Sequence, residues 1–239
     1  MSKVELLDKL EIRIATETVL KLQGYGDKRA PSESIRNIVA RQVKAARTLA
    51  KPQAIYREVE IRSIEDSVVR LENGMVFQVG KRIAHWWQGS KAVAIAVCTV
   101  GGDIEEQVKA LSQKGEHLAA LTLDTAGSLA LGSALDQVHR FTCERATRAG
   151  IRVGPSLNPG YAEWPITDQQ LLFQIMPAEQ IGVRLNEQCM MMPKQSAVLC
   201  AGLGVNQDFD DFNRCYHCGV PKCPFRKLSR KPRKRPEIA

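Results

Sequence analysis

Three cysteines late in the sequence, Cys215, Cys218 and Cys223, stand in a C-x2-C-x4-C arrangement. Two thiolates separated by two residues fold onto one metal ion, and a third a few residues on can close the same site, which is the chemistry of a structural zinc or of an iron–sulfur cluster. A fourth ligand is best drawn from Cys200 or Cys189 on the preceding strands, because His217 sits between two ligands and is poorly placed. The plain alternative is uncoordinated thiols. A nucleic-acid zinc knuckle requires a different order: position 223 is Cys and position 228 is Leu, so that reading fails. Upstream, Asn158-Pro159-Gly160-Tyr161, with Pro165 just beyond, predicts a tight turn whose backbone can approach a flat ligand and from which Tyr161 projects. The ordinary reading of such a segment is a turn with a packed tyrosine.

Composition limits what these groups can serve. The chain has 239 residues, 44% hydrophobic and 25% charged, with a net charge of +8. Residues 226–239 carry seven Lys/Arg and one Glu, leaving only +2 for the rest. The basic run therefore reads as a solvated tail rather than the face of a nucleic-acid binder. The apolar run from Ala92 to Val100 is too short to span a membrane, and the charged N-terminus is unlike a signal peptide. An odd number of cysteines, seven, in such a chain fits reduced thiols and a cytoplasmic location.

The elements that must hold the chemistry follow from periodicity. A helix is expected within Val4 to Leu22, broken by Gly24-Tyr25-Gly26, and a second begins at the N-cap Ser32 and runs to about Leu49. An extended segment through Ile55, Arg57, Val59 and Ile61 precedes a hairpin, Val68 to Glu72 and Met75 to Val79, turned by Asn73-Gly74. Lys91 to Thr99 is a strand, and Asp103 with Glu106 predicts a capping box for a short helix. Leu118 to Arg148 reads as one long helix closed by Gly150, with Gly127, Ser128, Gly132 and Ser133 as a small-residue packing face. Thr167 and Gln170 suggest a second capping box, and a closing pair of strands spans Arg184 to Met192 and Ser196 to Gly202. The irregular order predicts an α+β fold, a twisted antiparallel sheet with packed helices. Three regions are expected: 1–90, the N-terminal helix and hairpin; 91–205, a core; and 206–239, the cysteine segment with its basic tail.

The Pro159-Gly160-Tyr161 turn, taken with Leu185, Glu187, Met191, Pro193 and Ser196, resembles the activation domain of cobalamin-dependent methionine synthase over about Ala92 to Gly202. The resemblance implies helices on a twisted antiparallel sheet and a site for S-adenosylmethionine, whose methyl group is presented to a cobalamin carried by another module. It implies ligand contacts at Asp136, Pro159, Gly160 and Tyr161, with Tyr161 near the methyl donor and the corrinoid. It also implies that the Tyr161 turn and the Met-rich hairpin wall one cleft.

Two positions depart from the family pattern. Where the family carries an arginine five residues before the loop tyrosine, this chain has Ser156, which cannot form a bidentate contact to a carboxylate; Arg152 is the nearby substitute. A family histidine corresponds to Thr167, here read as a helix cap. The cysteine cluster has no counterpart in that domain, and the chain lacks the D-x-H-x-x-G element that anchors cobalamin through histidine. The implied role is a stand-alone activation protein acting on a corrinoid protein or methionine synthase, with a low-potential electron donor. The alternative is a docking or electron-transfer module, bearing iron–sulfur or zinc, that has lost the methyl donor.

Overall fold

Successive side chains of the central strands enter two different cores, one on each face of the sheet. The computed structural model describes residues 2–26, 29–209, 212–218, 220 and 223–228; the basic run over 229–239 falls outside the described residues. In β5 (Ala92–Thr99), Ala94, Ala96 and Cys98 join one core while Val93, Ile95 and Val97 join another. The same split runs through β2 (Gln53–Glu65) and β8 (Ser196–Leu203). Because both faces are covered, β5 and β8 read as nearly unbroken apolar runs, whereas β2 keeps charged residues toward its exposed end.

The sheet order is β4-β3-β2-β5-β8, with β3 spanning Val68–Leu71, β4 spanning Val76–Phe77, and β1 (Glu5–Leu7) also paired to β2. All pairings are antiparallel. The expected α+β architecture is therefore present. On the alanine face lie α1 (Thr16–Leu22), α2 (Glu33–Leu49), α4 (Asp103–Gln113) and α5 (His117–Arg148). On this face the helices pack closely on one another: an added Cβ at Gly127 of α5 would come within 2.9 Å of Ile104 Cγ2 of α4. The other face is filled by larger groups, among them Trp87 after α3 (Lys81–Trp86), Trp164, and Leu172 of α6 (Gln169–Ile175).

Helix α5 is long and apolar enough to cross a membrane by length and composition, yet here it packs against α2, α4 and β5 as a core helix. Ser32 caps α2 as expected, its hydroxyl accepting from the Ile35 amide. Other local expectations were overridden by longer-range contacts. The Val4–Leu22 segment forms β1 on the edge of β2 before its last residues become α1. Asp103 does not cap α4; Gly102 precedes that helix, and Asp103 instead pairs with Lys51 at 2.7 Å. Thr167 lies inside a 3-10 turn, Ile166–Asp168, and Asp168 uses its side chain to accept from Trp164 Nε1 and from the Gln78 amide rather than to cap α6.

The closing strands also differ from expectation. Arg184–Leu185 (β6) and Met191–Met192 (β7) form their own two-stranded ribbon, while β8 leaves them after the cis Met192–Pro193 bond and pairs with β5. Eight consecutive pairs from Thr99–Ser196 to Ala92–Leu203 hold β8 there, so the main sheet offers far more hydrogen bonding than a return along β7 would.

Candidate functional site

Beyond β8, the chain from 152 to 158 runs along the exposed sheet edge. The Gly154 amide donates to Gly202 O at 2.8 Å, and Leu157 and Cys200 exchange backbone bonds at 2.8 and 2.7 Å. Alternation along this extended stretch buries Leu157 in the tryptophan-rich core and leaves Ser156 toward α5. There Ser156 Oγ lies 2.8 Å from His139 Nδ1, and His139 Nε2 lies 3.6 Å from Cys143 Sγ. Asp136, His139 and Cys143 fall at helical spacing and line one cavity with Ser156. Burial holds His139 below the usual histidine range, with Asp136 opposing and Arg214 reinforcing the shift. The Cys143 thiol is pushed up, first by burial and then by Glu144.

The Asn158–Tyr161 turn forms as expected, with the Tyr161 amide donating to Asn158 O at 3.0 Å and the Gly160 amide to Trp164 O at 2.8 Å. Gly160 has φ +90°, a conformation that favours glycine, and a Cβ there would meet Ile166 Cδ1 at 2.9 Å. Tyr161 does not project. Its ring is buried in the tryptophan-rich core, and its hydroxyl donates to the Arg214 carbonyl at 2.6 Å. Burial pushes the phenol up to about 12. Trp164 fills the same core, edge-on to Trp87 with ring centres 5.6 Å apart.

The segment that covers Tyr161 is α7 (Arg214–His217) with its flanks. An aromatic cluster pins it: the Phe212 and His217 rings stack at 5.0 Å, and both meet Trp86 edge-on. His217 thus serves as a packing ring between two cysteines. Cys215, Cys218 and Cys223 are half-buried in this segment, whereas Cys200 is fully buried at the centre of β8 and its thiol is pushed far up by burial alone. Among the described residues no three His, Cys, Asp or Glu side chains are grouped as a metal site.

Together these parts enclose a cavity of about 710 Å³ between α5, the 153–158 stretch and the covering segment. Small-molecule sites typically measure about 300–1,000 Å³. Asp136 and Arg214 supply opposite charges, Asn158 and the His139–Ser156 pair supply neutral polar groups, and Phe209 and Phe225 supply apolar wall. Such a lining suits a ligand with an aromatic part and a charged end. Of the site residues singled out from sequence, Asp136 lines this cavity, and so does Cys215 of the cysteine cluster. Tyr161 stands behind it through its bond to Arg214, and neither Pro159, Gly160 nor Arg152 is part of the lining.

The Tyr161 turn and the Met-rich hairpin do not wall one cleft. Met192 and Pro193 border a separate hollow of about 510 Å³ with Gly102, Glu105 and Arg184. Lys194 fastens that hairpin away from the turn, its amide donating to Glu105 and its ammonium pairing with Asp124 at 3.0 Å. His139 and Arg214 are the functional candidates that sequence reading missed. The i, i+3, i+7 series Asp136, His139, Cys143 was visible on the helix; Arg214 carried no comparable signal.

The fold class is thus a curled antiparallel sheet with a long helix across one face and an extended stretch supporting a cavity at the sheet edge. It is the fold of a solved structure, the MetH reactivation domain bound to AdoHcy, with a TM-score of 0.58 at 12% identity, covering 86% of this chain and 80% of that one. No family model matches the chain, and no curated protein matches it.

Proposed function

We propose that this protein binds S-adenosylmethionine in the cavity between α5 and Ser156, and supports reductive remethylation of an inactive Co(II) corrinoid held by a separate methionine synthase or related protein. The observation that carries the reading is the fold match to a domain solved with AdoHcy, together with a cavity of ligand size bordered by Asp136 and by Asn158 of the turn. The corrinoid supplies the methyl acceptor once a low-potential donor has given it one electron, and transfer from the sulfonium draws that unfavourable reduction forward. This chain's part is to bind the donor and orient its methyl group, with Asp136 favouring a cationic ligand and the aromatic wall excluding water. Asp136, Pro159, Gly160, Tyr161 and Arg152 are the residues the family resemblance assigns to the ligand; the cavity favours Asp136 directly and Tyr161 through the roof it anchors.

The test is anaerobic mixing with a purified Co(II)-corrinoid protein and reductant while the corrinoid absorption is followed. Conversion that depends on both this protein and S-adenosylmethionine supports the reading, and conversion unaffected by the protein refutes it. A second reading, a module that docks on a corrinoid protein without a methyl donor, is favoured by the covering of the Tyr161 hydroxyl. Binding to the corrinoid protein without any affinity for S-adenosylmethionine would select it. The spacing of Cys215, Cys218 and Cys223 supports a bound zinc or iron–sulfur cluster in either case, and metal analysis of anaerobically purified protein tests this.

A further inference from the structure

We propose that Cys143, His139 and Ser156 form a base-assisted thiol nucleophile, a site at which a soft carbon electrophile entering the cavity is captured as a thioether. The inference goes beyond the adenosyl-ligand reading and stands independently of it.

The three groups form one chain of contacts. Cys143 Sγ lies 3.6 Å from His139 Nε2, and His139 Nδ1 lies 2.8 Å from Ser156 Oγ. With the ring proton on Nδ1, the imidazole donates to the Ser156 oxygen and its Nε2 lone pair faces the thiol. This is the arrangement of a nucleophile, a base and a third group that orients the base. Two rigid elements hold it. His139 and Cys143 stand one helical turn apart on α5, so their side chains meet on one face. Ser156 comes from the extended stretch that the Gly154–Gly202 and Leu157–Cys200 backbone bonds fix to β8.

All three line the cavity of about 710 Å³, so a small molecule that enters it reaches the thiol. Cys98 and Cys200, by contrast, are sealed within β5 and β8. Burial, then Glu144, pushes the Cys143 thiol up, so the resting group is S–H rather than thiolate. Burial holds His139 below the usual histidine range against Asp136, with Arg214 adding to the effect, so the imidazole is a free base at neutral pH. These states suit general-base assistance: the thiol is a poor nucleophile until its proton leaves, and the neighbouring ring is empty to receive it. In the step, Sγ forms a bond to the electrophilic carbon as the bond from that carbon to its leaving group breaks. The leaving group departs with that electron pair, and the thiol proton passes to His139 Nε2. No oxidant or reductant is consumed.

Iodoacetamide is the probe, added to the full chain with labelling at Cys143 followed by peptide mass spectrometry. The relay predicts a rate that levels off above about pH 6.5, where His139 is neutral, whereas an unassisted thiol of pKa about 8.5 or higher gains about tenfold per pH unit over this range. His139→Gln should slow labelling at about pH 7 by about 100-fold and restore the tenfold slope. Ser156 is a positioning residue: Ser156→Ala should slow labelling about five- to tenfold, the value of one neutral hydrogen bond, and Ser156→Thr, which keeps the hydroxyl, should recover the wild-type rate. A wild-type profile that rises tenfold per unit without levelling, a Cys143 that resists labelling, or a wild-type rate in His139→Gln or Ser156→Ala overturns the proposal. The wild-type profile decides it even where a variant fails to fold.

Discussion

The Tyr161 hydroxyl donates a 2.6 Å hydrogen bond to the backbone carbonyl of Arg214, joining the Pro-Gly turn to the segment that roofs the cavity. With its phenol pushed up to about 12, Tyr161 stays protonated and keeps donating across the working pH range. The turn thereby acts through the roof: it fixes the backbone from which Arg214 reaches the cavity.

Tyr161→Phe removes that bond and leaves the Arg214 carbonyl to find another donor. A loss of about 1–2 kcal/mol is expected, concentrated in the roof. Faster hydrogen exchange at the amides of 212–218, with the protection of β5 and α5 unchanged, would show it. Unchanged exchange in that segment would refute the roof's dependence on Tyr161.

Gly202 lies where β8 passes beneath Trp87, and an added Cβ would sit 2.4 Å from Ser90 Oγ and 3.0 Å from Trp87 Cγ. Gly202→Ala should therefore cost about 1–3 kcal/mol through overpacking. The urea midpoint measures this directly, and a midpoint equal to wild type would contradict the close packing.

Much of this architecture was legible in the sequence because it is local. Ser32 and the apolar period that follows it set α2, Asn73-Gly74 turns the hairpin, and the proline-free run to Gly150 is α5. What was illegible depends on partners far along the chain. Three residues, Glu5–Leu7, become a strand only because β2 offers an edge, and Asp103 gives up a cap for Lys51. The candidate site divides in the same way: Asp136 could be named from the helix, but the cavity's opposite charge, Arg214, is brought to it by the Trp86–Phe212–His217 cluster and by the Tyr161 hydroxyl bond to its carbonyl.

Asp168 accepts from both Trp164 Nε1, at 2.9 Å, and the Gln78 amide, at 3.1 Å. Asp168→Ala strands two donors and should destabilise the fold by about 2–4 kcal/mol. Trp164 fluorescence would shift as the ring loses its partner, and an unaltered spectrum with unaltered stability would rule this out.

Acid should weaken the protein through its histidines. Burial holds His139 and His217 below the ordinary value, with Arg214 adding to the effect at His139 against Asp136, and Arg82 adding to it at His217. Each imidazole thus binds a proton less readily folded than unfolded, so the unfolded chain holds more protons just below about pH 6.5. Stability contributed by the neutral rings is present above that pH and lost as pH falls toward their folded values. The urea midpoint should drop between about pH 7.5 and 5.5, and His139→Gln should flatten the dependence. A variant with the full wild-type pH dependence would exclude His139 as a source.

The central claim is that the cavity between α5 and Ser156 is the adenosyl-ligand site. A crystal structure of the protein grown with AdoHcy tests it most directly. The account predicts the ligand between Asp136, Ser156 and Arg214, with its nucleoside against the aromatic wall. Ligand density in the hollow beside Met192 and Pro193, or an open cavity under saturating AdoHcy, would contradict it.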